Sequence, residues 1–398
     1  MANNNKLKAY VRYDGTGRII PGSLILNRFK PKVGNWQEID ANECCNYTPP
    51  IGSLFDVTAD WSLTTPPVVD EASFRTFLES GEDGDGSSSN LTNVVITDFS
   101  LIDGRLRCNL SANGSEFSLT YTGVSVVNSI GNILGLEYLG LGGNNITSVD
   151  NTIWPVGVTS INLDYNSITS VDNVIWPISL TQLGLYDNQI VTFNPTIPLP
   201  SGLTGLDLNR NNISLVNDIV WPSSLQYLGL NGNSITSFDP STALPSGLLF
   251  LDLGNNALSV FDPSLPLPST LESLTLTNNN LTSFDPSITI PSSLLYLYLQ
   301  ENNLLTFNIT LPNLEQLYLS NNQIVTFNPT IALSSSLQYL VLDNNQMTTA
   351  GYTASEPWAN AMSVIPGRGG VFFSGNINTV TGTDLETILT AKGWTVFA

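Results

Sequence analysis

One asparagine returns through most of the chain at a nearly fixed step. It stands at Asn144, Asn166, Asn188, Asn211, Asn233, Asn256, Asn279, Asn302, Asn322 and Asn345, with steps of 22, 22, 23, 22, 23, 23, 23, 20 and 23 residues. Around each copy runs one pattern, clearest at Leu225-Gln-Tyr-Leu228-Gly-Leu230-Asn-Gly-Asn233-Ser-Ile235, or L-x-x-L-x-L-x-x-N-x-L/I in general form. A unit this short cannot bury its apolar face alone. Each copy needs the next, so the chain must stack into a repeat solenoid.

The template has a physical reading. Leu228 and Leu230 alternate along a short strand and point inward, and Ile235 returns inward after a turn. Asn233 sits at the bend, where its amide can bond the backbone of neighbouring coils. A second ladder lies five residues further on: Phe193, Phe238, Phe261, Phe284, Phe307 and Phe327, with Val149, Val171 and Val216 in the same slot elsewhere. It is expected to form an internal spine. Asp or Asn follows at the next position, and in five coils it precedes proline, as in Asn194-Pro195 and Asp239-Pro240. Asx-Pro initiates turns, which explains this acidic column more simply than cation binding does. Trp154, Trp176 and Trp221, each followed by proline, form a third ladder expected in the core on the convex side.

The flanks read differently. Residues 1–48 form a basic β module: Lys8-Ala-Tyr-Val-Arg-Tyr13 and Ser23 to Phe29 have strand character, punctuated by Asp14-Gly15 and Pro21-Gly22. Residues 49–92 read as a connector, broken by Pro49-Pro50 and Pro66-Pro67 and ending in a Gly/Ser/acid-rich linker, Gly81 to Asn90. Its Asp83-Gly-Asp85-Gly-Ser87 run resembles the start of a calcium loop. Its twelfth position is Val94, not the required glutamate, so no metal is expected. Residues 93–133 resume strand patterning and suit an N-terminal cap, 134–347 hold the ten repeats, and 348–398 read as a C-terminal cap. In that last region 348–375 reads as irregular, Thr383-Asp-Leu-Glu386 as a capping box opening a helix, and Trp394 to Phe397 as a last strand.

Composition excludes several functions. The chain has 398 residues and no histidine, so Ser-His-Asp and Cys-His nucleophile sets are absent. Three cysteines, Cys44, Cys45 and Cys108, make neither a disulfide framework nor a paired metal site. No phosphate-cradling glycine loop stands between a strand and a helix. Neither an enzyme nor a cofactor is expected. No apolar run reaches the roughly 20 residues of a membrane span. The opening Met1-Ala-Asn-Asn-Asn-Lys lacks the apolar core of a secretory signal, so export by the general route is not expected.

Net charge is −20 and uneven. The first 48 residues carry seven basic side chains, among them Lys8, Arg12, Arg18, Arg28, Lys30 and Lys32, against four acids, a balance of +3. The remainder is −23, and Arg210 is the one basic residue of the repeats. Such a surface repels phosphate backbones, so nucleic acid is not an expected partner. The asymmetry suggests different partners at the two ends, with the basic residues as the docking set.

Strand positions flanking the two inner leucines face solvent on the inner curve of a stack. They hold Tyr227, Phe250, Tyr296, Tyr298, Tyr318 and Tyr339, with Gln300 alongside and acids including Asp164, Asp207, Asp252, Glu301 and Asp343. Exposed aromatics on a rigid scaffold mark contact surfaces. These seven are the candidate ligand-binding residues, suited to a sugar or a protein loop. Tyr296, Tyr298, Tyr318 and Tyr339 are expected to form one patch.

The repeats, with Leu199-Pro-Ser-Gly-Leu203 and Pro291-Ser-Ser-Leu294 leading into their strands, resemble the bacterial and phage branch of the leucine-rich-repeat superfamily. The resemblance covers 136–347. It implies a horseshoe with a parallel β concave face and a mostly irregular convex side, to which the flanks read above add a β-rich N-terminal module and cap and a small α/β C-terminal cap. It also implies a binding module. Separately, Tyr10-Val-Arg-Tyr-Asp-Gly15, Pro21 to Leu26 and Gly34-Asn-Trp-Gln-Glu-Ile39 resemble the start of virion proteins of tailed bacteriophages. That likeness implies a virion-surface or fibre component: the basic module docks on a virion structural protein, homo-oligomers being compatible, and the solenoid meets a host surface glycan or protein. The alternatives are a purely structural virion decoration protein, or a bacterial leucine-rich-repeat effector or surface-binding protein.

Overall fold

The computed structural model describes backbone in eight strands before residue 131, the helical residue Ala72, and residues 136–398 except 217–218, 240–242, 285–289, 310, 330–333 and 368. Side chains are described for Ala72, 124–130 and that last stretch. Arg18, Arg28, Lys30, Lys32 and the 83–94 run lie outside the described residues. The chain divides into two compact units, residues 1–161 with 175–179, and residues 162–174 with 180–398.

In the first unit, β1 (Lys8–Arg12) pairs antiparallel with β2 (Ile25–Asn27) and β3 (Trp36–Ile39), with Tyr10 opposite both Ile25 and Glu38. Lys8 and Arg12 are the two ends of β1. A second antiparallel sheet has the order β5-β6-β4-β8, from β4 (Ser53–Ala59), β5 (Val95–Ile102), β6 (Arg105–Ser111) and β8 (Val124–Ile130). β4 corrects the expected connector. It lies inside 49–92 yet forms an inner strand, because Phe55 and Val57 give it the aromatic and β-branched character of sheet, which the flanking prolines obscured. β7 (Glu116–Ser118) pairs parallel with β9 (Tyr138–Gly140), the strand of the first repeat. β8 lies along that repeat: the Val124 N–H donates to Asn144 Oδ1 (3.1 Å) and the Asn145 N–H to the Val124 carbonyl (2.8 Å). Trp154 and Trp176 are buried and stacked, their centroids 5.4 Å apart. β10 (Ser160–Asn162) is where the units meet in sequence.

The second unit is a parallel-strand solenoid. Its strands are β11 (Gln182–Gly184), β12 (Gly205–Asp207), β13 (Tyr227–Gly229), β14 (Phe250–Asp252), β15 (Ser273–Thr275), β16 (Tyr296–Tyr298), β17 (Gln316–Tyr318), β18 (Tyr339–Val341), β19 (Gly369–Phe372) and β20 (Trp394–Phe397). Each pairs only in parallel with its neighbours in sequence. The register puts Leu183, Leu206, Leu228, Leu251, Leu274, Leu297, Leu317 and Leu340 in one buried row. Behind it the phenylalanine spine stacks as expected, Phe238 to Phe327 in steps of 6.1–6.2 Å between centroids. Trp221 fills the space beside Phe193, where that coil's spine residue is only Val216.

The asparagine ladder joins coil to coil. Asn279 Nδ2 donates to the Leu253 carbonyl of the preceding coil (3.0 Å) and to its own Leu276 (3.1 Å), while its Oδ1 accepts the Leu258 N–H (2.9 Å). Those backbone groups point away from both water and the sheet, so without the amide they would be orphaned. The residue before each template Asn is left-handed. Gly, Asn or Asp usually fills it, but Tyr165 (φ 55°), Arg210 (φ 52°) and Glu301 (φ 59°) stand there too.

The C-terminal region departs from expectation. Residues 348–375 are not irregular: they hold α1 (Thr349–Ala361) and β19. Thr348 caps α1 by accepting the Gly351 N–H, and Tyr352, Ser355, Trp358 and Ala359 make its buried face. Trp358 meets Phe327 edge-on at 4.9 Å and so ends the spine. The ladder also resumes at Asn376, which bonds the Leu342 and Phe373 carbonyls. Its step is 31 residues, because α1 is looped out of that coil. The parallel sheet therefore continues past 347. α2 (Asp384–Ala391) starts as expected with Thr383 accepting the Glu386 N–H, although Glu386 reaches back to the Gly382 N–H rather than to Thr383.

Candidate binding face of the second unit

The inward row of leucines fixes the opposite face of every strand. Residues on either side of each inner leucine point outward, and parallel pairing lines them up across coils. One outward row reads Gln182, Gly205, Tyr227, Phe250, Ser273, Tyr296, Gln316, Tyr339 and Gly370. The next reads Gly184, Asp207, Gly229, Asp252, Thr275, Tyr298, Tyr318, Val341, Phe372 and Phe397. The face is therefore polar at its beginning and aromatic at its end.

At the polar end, acids crowd. Asp164 accepts the Tyr186 N–H (2.8 Å) and the Asn162 amide (2.8 Å). Gly184 makes this possible, since a Cβ there would stand 2.7 Å from Asp164 Oδ1. Burial pushes the Asp164 carboxyl up to about 6 against those hydrogen bonds, with the charge of Asp207 adding to it. Asp207 is raised too, chiefly by burial and then by Asp252. Beside them Tyr165 meets Tyr186 edge-on at 5.1 Å, and the Arg210 guanidinium lies 5.4 Å from the Tyr186 centroid and 3.8 Å from Asp187 Oδ2.

At the other end the rings gather. Tyr298 and Tyr318 stack at 5.1 Å with planes 24° apart. Tyr296 shares β16 with Tyr298, and its hydroxyl stands 3.4 Å from Glu315 Oε2. The Glu315 charge first, and burial second, hold its phenol above the ordinary range. Tyr339 is exposed, and Gln316 stands between it and Tyr296 in their row, so the four tyrosines occupy two adjacent rows on three consecutive strands. Gln300 sits just beyond Tyr298. Its Oε1 and the Thr277 hydroxyl at the corresponding place one coil earlier are buried without a hydrogen-bond partner. Tyr227 and Phe250 are paired with each other on β13 and β14, away from this group across Ser273 and Thr275. The Tyr227 hydroxyl accepts from Asn209 over Gly229, where a Cβ would meet both.

Sequence reasoning missed Val341, Phe372 and Phe397, which extend the Tyr298–Tyr318 row. Phe372 and Phe397 stack at 4.5 Å with planes 5° apart. The signal was present: Val371-Phe372-Phe373-Ser374-Gly375-Asn376 is the inner half of the repeat template with Val and Phe for its leucines. Among the described residues no group of three or more acids or cysteines is placed to hold a metal ion, and no helix is long and apolar enough to cross a membrane.

Residues 269–324 match the family model for the leucine rich repeat. No curated protein sequence matches the chain. Similar solved structures include a leucine-rich-repeat protein of Leptospira interrogans, 21% identical over 67% of this chain and 76% of that one, with a TM-score of 0.44. YopM of Yersinia enterocolitica is 22% identical over 66% of this chain and 69% of its own, TM-score 0.36. An internalin of Listeria monocytogenes is 19% identical over 70% and 91%, TM-score 0.36. The coils from 269 to 324 are thus leucine-rich repeats, and the other coils of the second unit share their parallel strands and buried leucine row.

Proposed function

We propose that this protein is a non-enzymatic binding module that takes a protein partner on the aromatic end of the second unit's open face. The observation that carries this reading is the stacked Tyr298–Tyr318 pair. The same row holds Gly, Asp or Thr in earlier coils whose buried leucines and asparagines are the same. Folding therefore makes no demand for rings there. Tyrosine supplies contact area at low entropic cost, with a polar tip for hydrogen bonding. A photo-crosslinking residue at Ser320, beside Tyr318, should yield a protein adduct in producing cells. One at Val260, exposed at a turn, should not. The adduct should vanish in the Tyr298→Ala/Tyr318→Ala double variant. Equal adducts from both positions, or none from Ser320, overturn the reading.

The wider setting we propose is that of the N-terminal likeness: a bacteriophage virion-surface protein docked through residues 1–48, whose partner is on the host surface. Its support is the basic balance of that segment against the acidic remainder. Mass spectrometry of purified particles tests it. Absence of the chain from particles leaves the bacterial effector or surface-binding alternative. A glycan array on the same double variant separates a sugar ligand from a protein one.

A further inference from the structure

We propose that the partner presents a cationic segment, with a lysine or arginine side chain seated over Tyr296 between Glu272 and Glu315. The proposal rests on the reading that this face binds protein, and adds the partner's chemistry.

Tyr296 has a glutamate on each side. Glu272 immediately precedes β15 and Glu315 immediately precedes β17, the two strands that flank β16. The Tyr296 N–H donates to the Glu272 carbonyl (3.0 Å) and the Gln316 N–H to the Leu295 carbonyl (3.0 Å), which locks the three coils in register. All three side chains are half-exposed, and the Tyr296 hydroxyl lies 3.4 Å from the Glu315 carboxylate. A ring face with carboxylates on either side attracts a cation by its quadrupole and by charge at once.

The molecule contains its own example of that arrangement. Tyr186, Asp187 and Arg210 combine a tyrosine ring, a carboxylate and a guanidinium, with the guanidinium 5.4 Å from the ring centroid and 3.8 Å from the acid. At Tyr296 the ring and carboxylates recur, but among the described residues no lysine or arginine is placed against them. Residues 211–367 hold ten acids and neither lysine nor arginine. Beyond them, the Lys392 ammonium donates to the Asn360 and Met362 carbonyls at the end of α1. Arg368 lies outside the described residues, and among the described ones this surface has no cationic complement, which leaves positive charge to be supplied by a partner. The Tyr298–Tyr318 shelf beside it offers a flat apolar seat for the neighbouring side chain of the same segment.

Fluorescence anisotropy on the full chain tests the inference with three labelled peptides of one length: Gly-Lys-Leu-Lys-Leu-Gly, the same with norleucine for lysine, and the same with glutamate. The lysine peptide should bind about tenfold more tightly than the norleucine peptide, and the glutamate peptide not at all. The Glu272→Gln/Glu315→Gln variant should lose that margin. The Glu356→Gln/Asp384→Asn variant, which removes the same charge from the two helices, should keep it. Equal weakening by the two charge-matched variants, equal binding of lysine and norleucine peptides, or no binding of the lysine peptide overturns the inference. A Ser320 adduct that persists in Glu272→Gln/Glu315→Gln while the lysine preference is absent defeats the cationic partner and leaves protein binding at this face standing.

Discussion

The two ends of the second unit's open face rest on the same scaffold and carry opposite chemistry. From Asp164 to Asp252 the outward rows hold mostly acids, amides and glycines, with Tyr227 and Phe250 as the two rings among them, and many are tied to one another or to the strands beneath by hydrogen bonds. From Tyr296 to Phe397 they are mostly rings, half-exposed or exposed, of which Tyr298 stacks on Tyr318 and Phe372 on Phe397. Underneath, both ends have the same leucine row and the same asparagine ladder. Their difference is therefore not demanded by the fold. At the acidic end the side chains satisfy one another within the molecule. At the aromatic end they do so less completely, as the unpartnered Gln300 Oε1 and Thr277 hydroxyl show, and that is the end proposed above to take the partner.

The comparison stands on a common core, so the strongest way to break it is to damage that core. Phe307 is buried between Phe284 and Phe327, and Phe307→Ala should cost about 4 kcal/mol of unfolding free energy in urea. Ring signals from both ends of the face should disappear in one transition. Separate transitions would mean that the two ends do not share a scaffold in the energetic sense. Asn279→Ala removes a side chain that serves the Leu258 N–H and three carbonyls. It should cost about 3 kcal/mol by the same measurement, because the partners are left buried and unpaired.

A smaller effect sharpens the contrast. Asp164 carries a carboxyl raised to about 6, so the folded chain binds its proton more tightly than the unfolded chain does. Its ionisation then costs stability as pH rises from about 4 through about 6. Asp164→Asn should be about 1 kcal/mol more stable than the parent at pH 7, a figure reduced for the group's partial exposure, and should show no gain at pH 3.5. Thermal melts across that window check it, and a pH-independent difference would remove burial as the cause. The smallest effect concerns Glu301, which holds the left-handed slot that asparagine fills in neighbouring coils. Glu301→Asn should raise stability by about 0.5 kcal/mol in a urea titration, since asparagine tolerates that conformation better.

Much of this was open to reading in advance. The leucine pattern, the asparagine ladder and the phenylalanine spine all stand in the structure where the repeat placed them, because each meets a need that recurs in every coil. The candidate tyrosines were found by the same periodicity, since outward slots follow from inward ones. The failures share a cause. β4 has local strand character in Phe55 and Val57, but its flanking prolines obscure it, and its pairing is with β6 and β8, some fifty and seventy residues away in sequence. The last coils went unread because α1 stretched one step to 31 residues and hid Phe372 and Phe397 from a search for a fixed period.

By itself the sequence determined the solenoid, its register and which slots turn outward, since a strict period leaves one way to bury every leucine. Only the tertiary structure decided which outward residues meet. Tyr298 and Tyr318 are stacked, while Tyr296 and Tyr339 are parted by Gln316 and the rows run on to Phe397. The reason is physical. Burial is set locally and repeats with the chain, but neighbourhood on a parallel sheet is set by coils stacked about 4.8 Å apart, whatever number of residues lies between them.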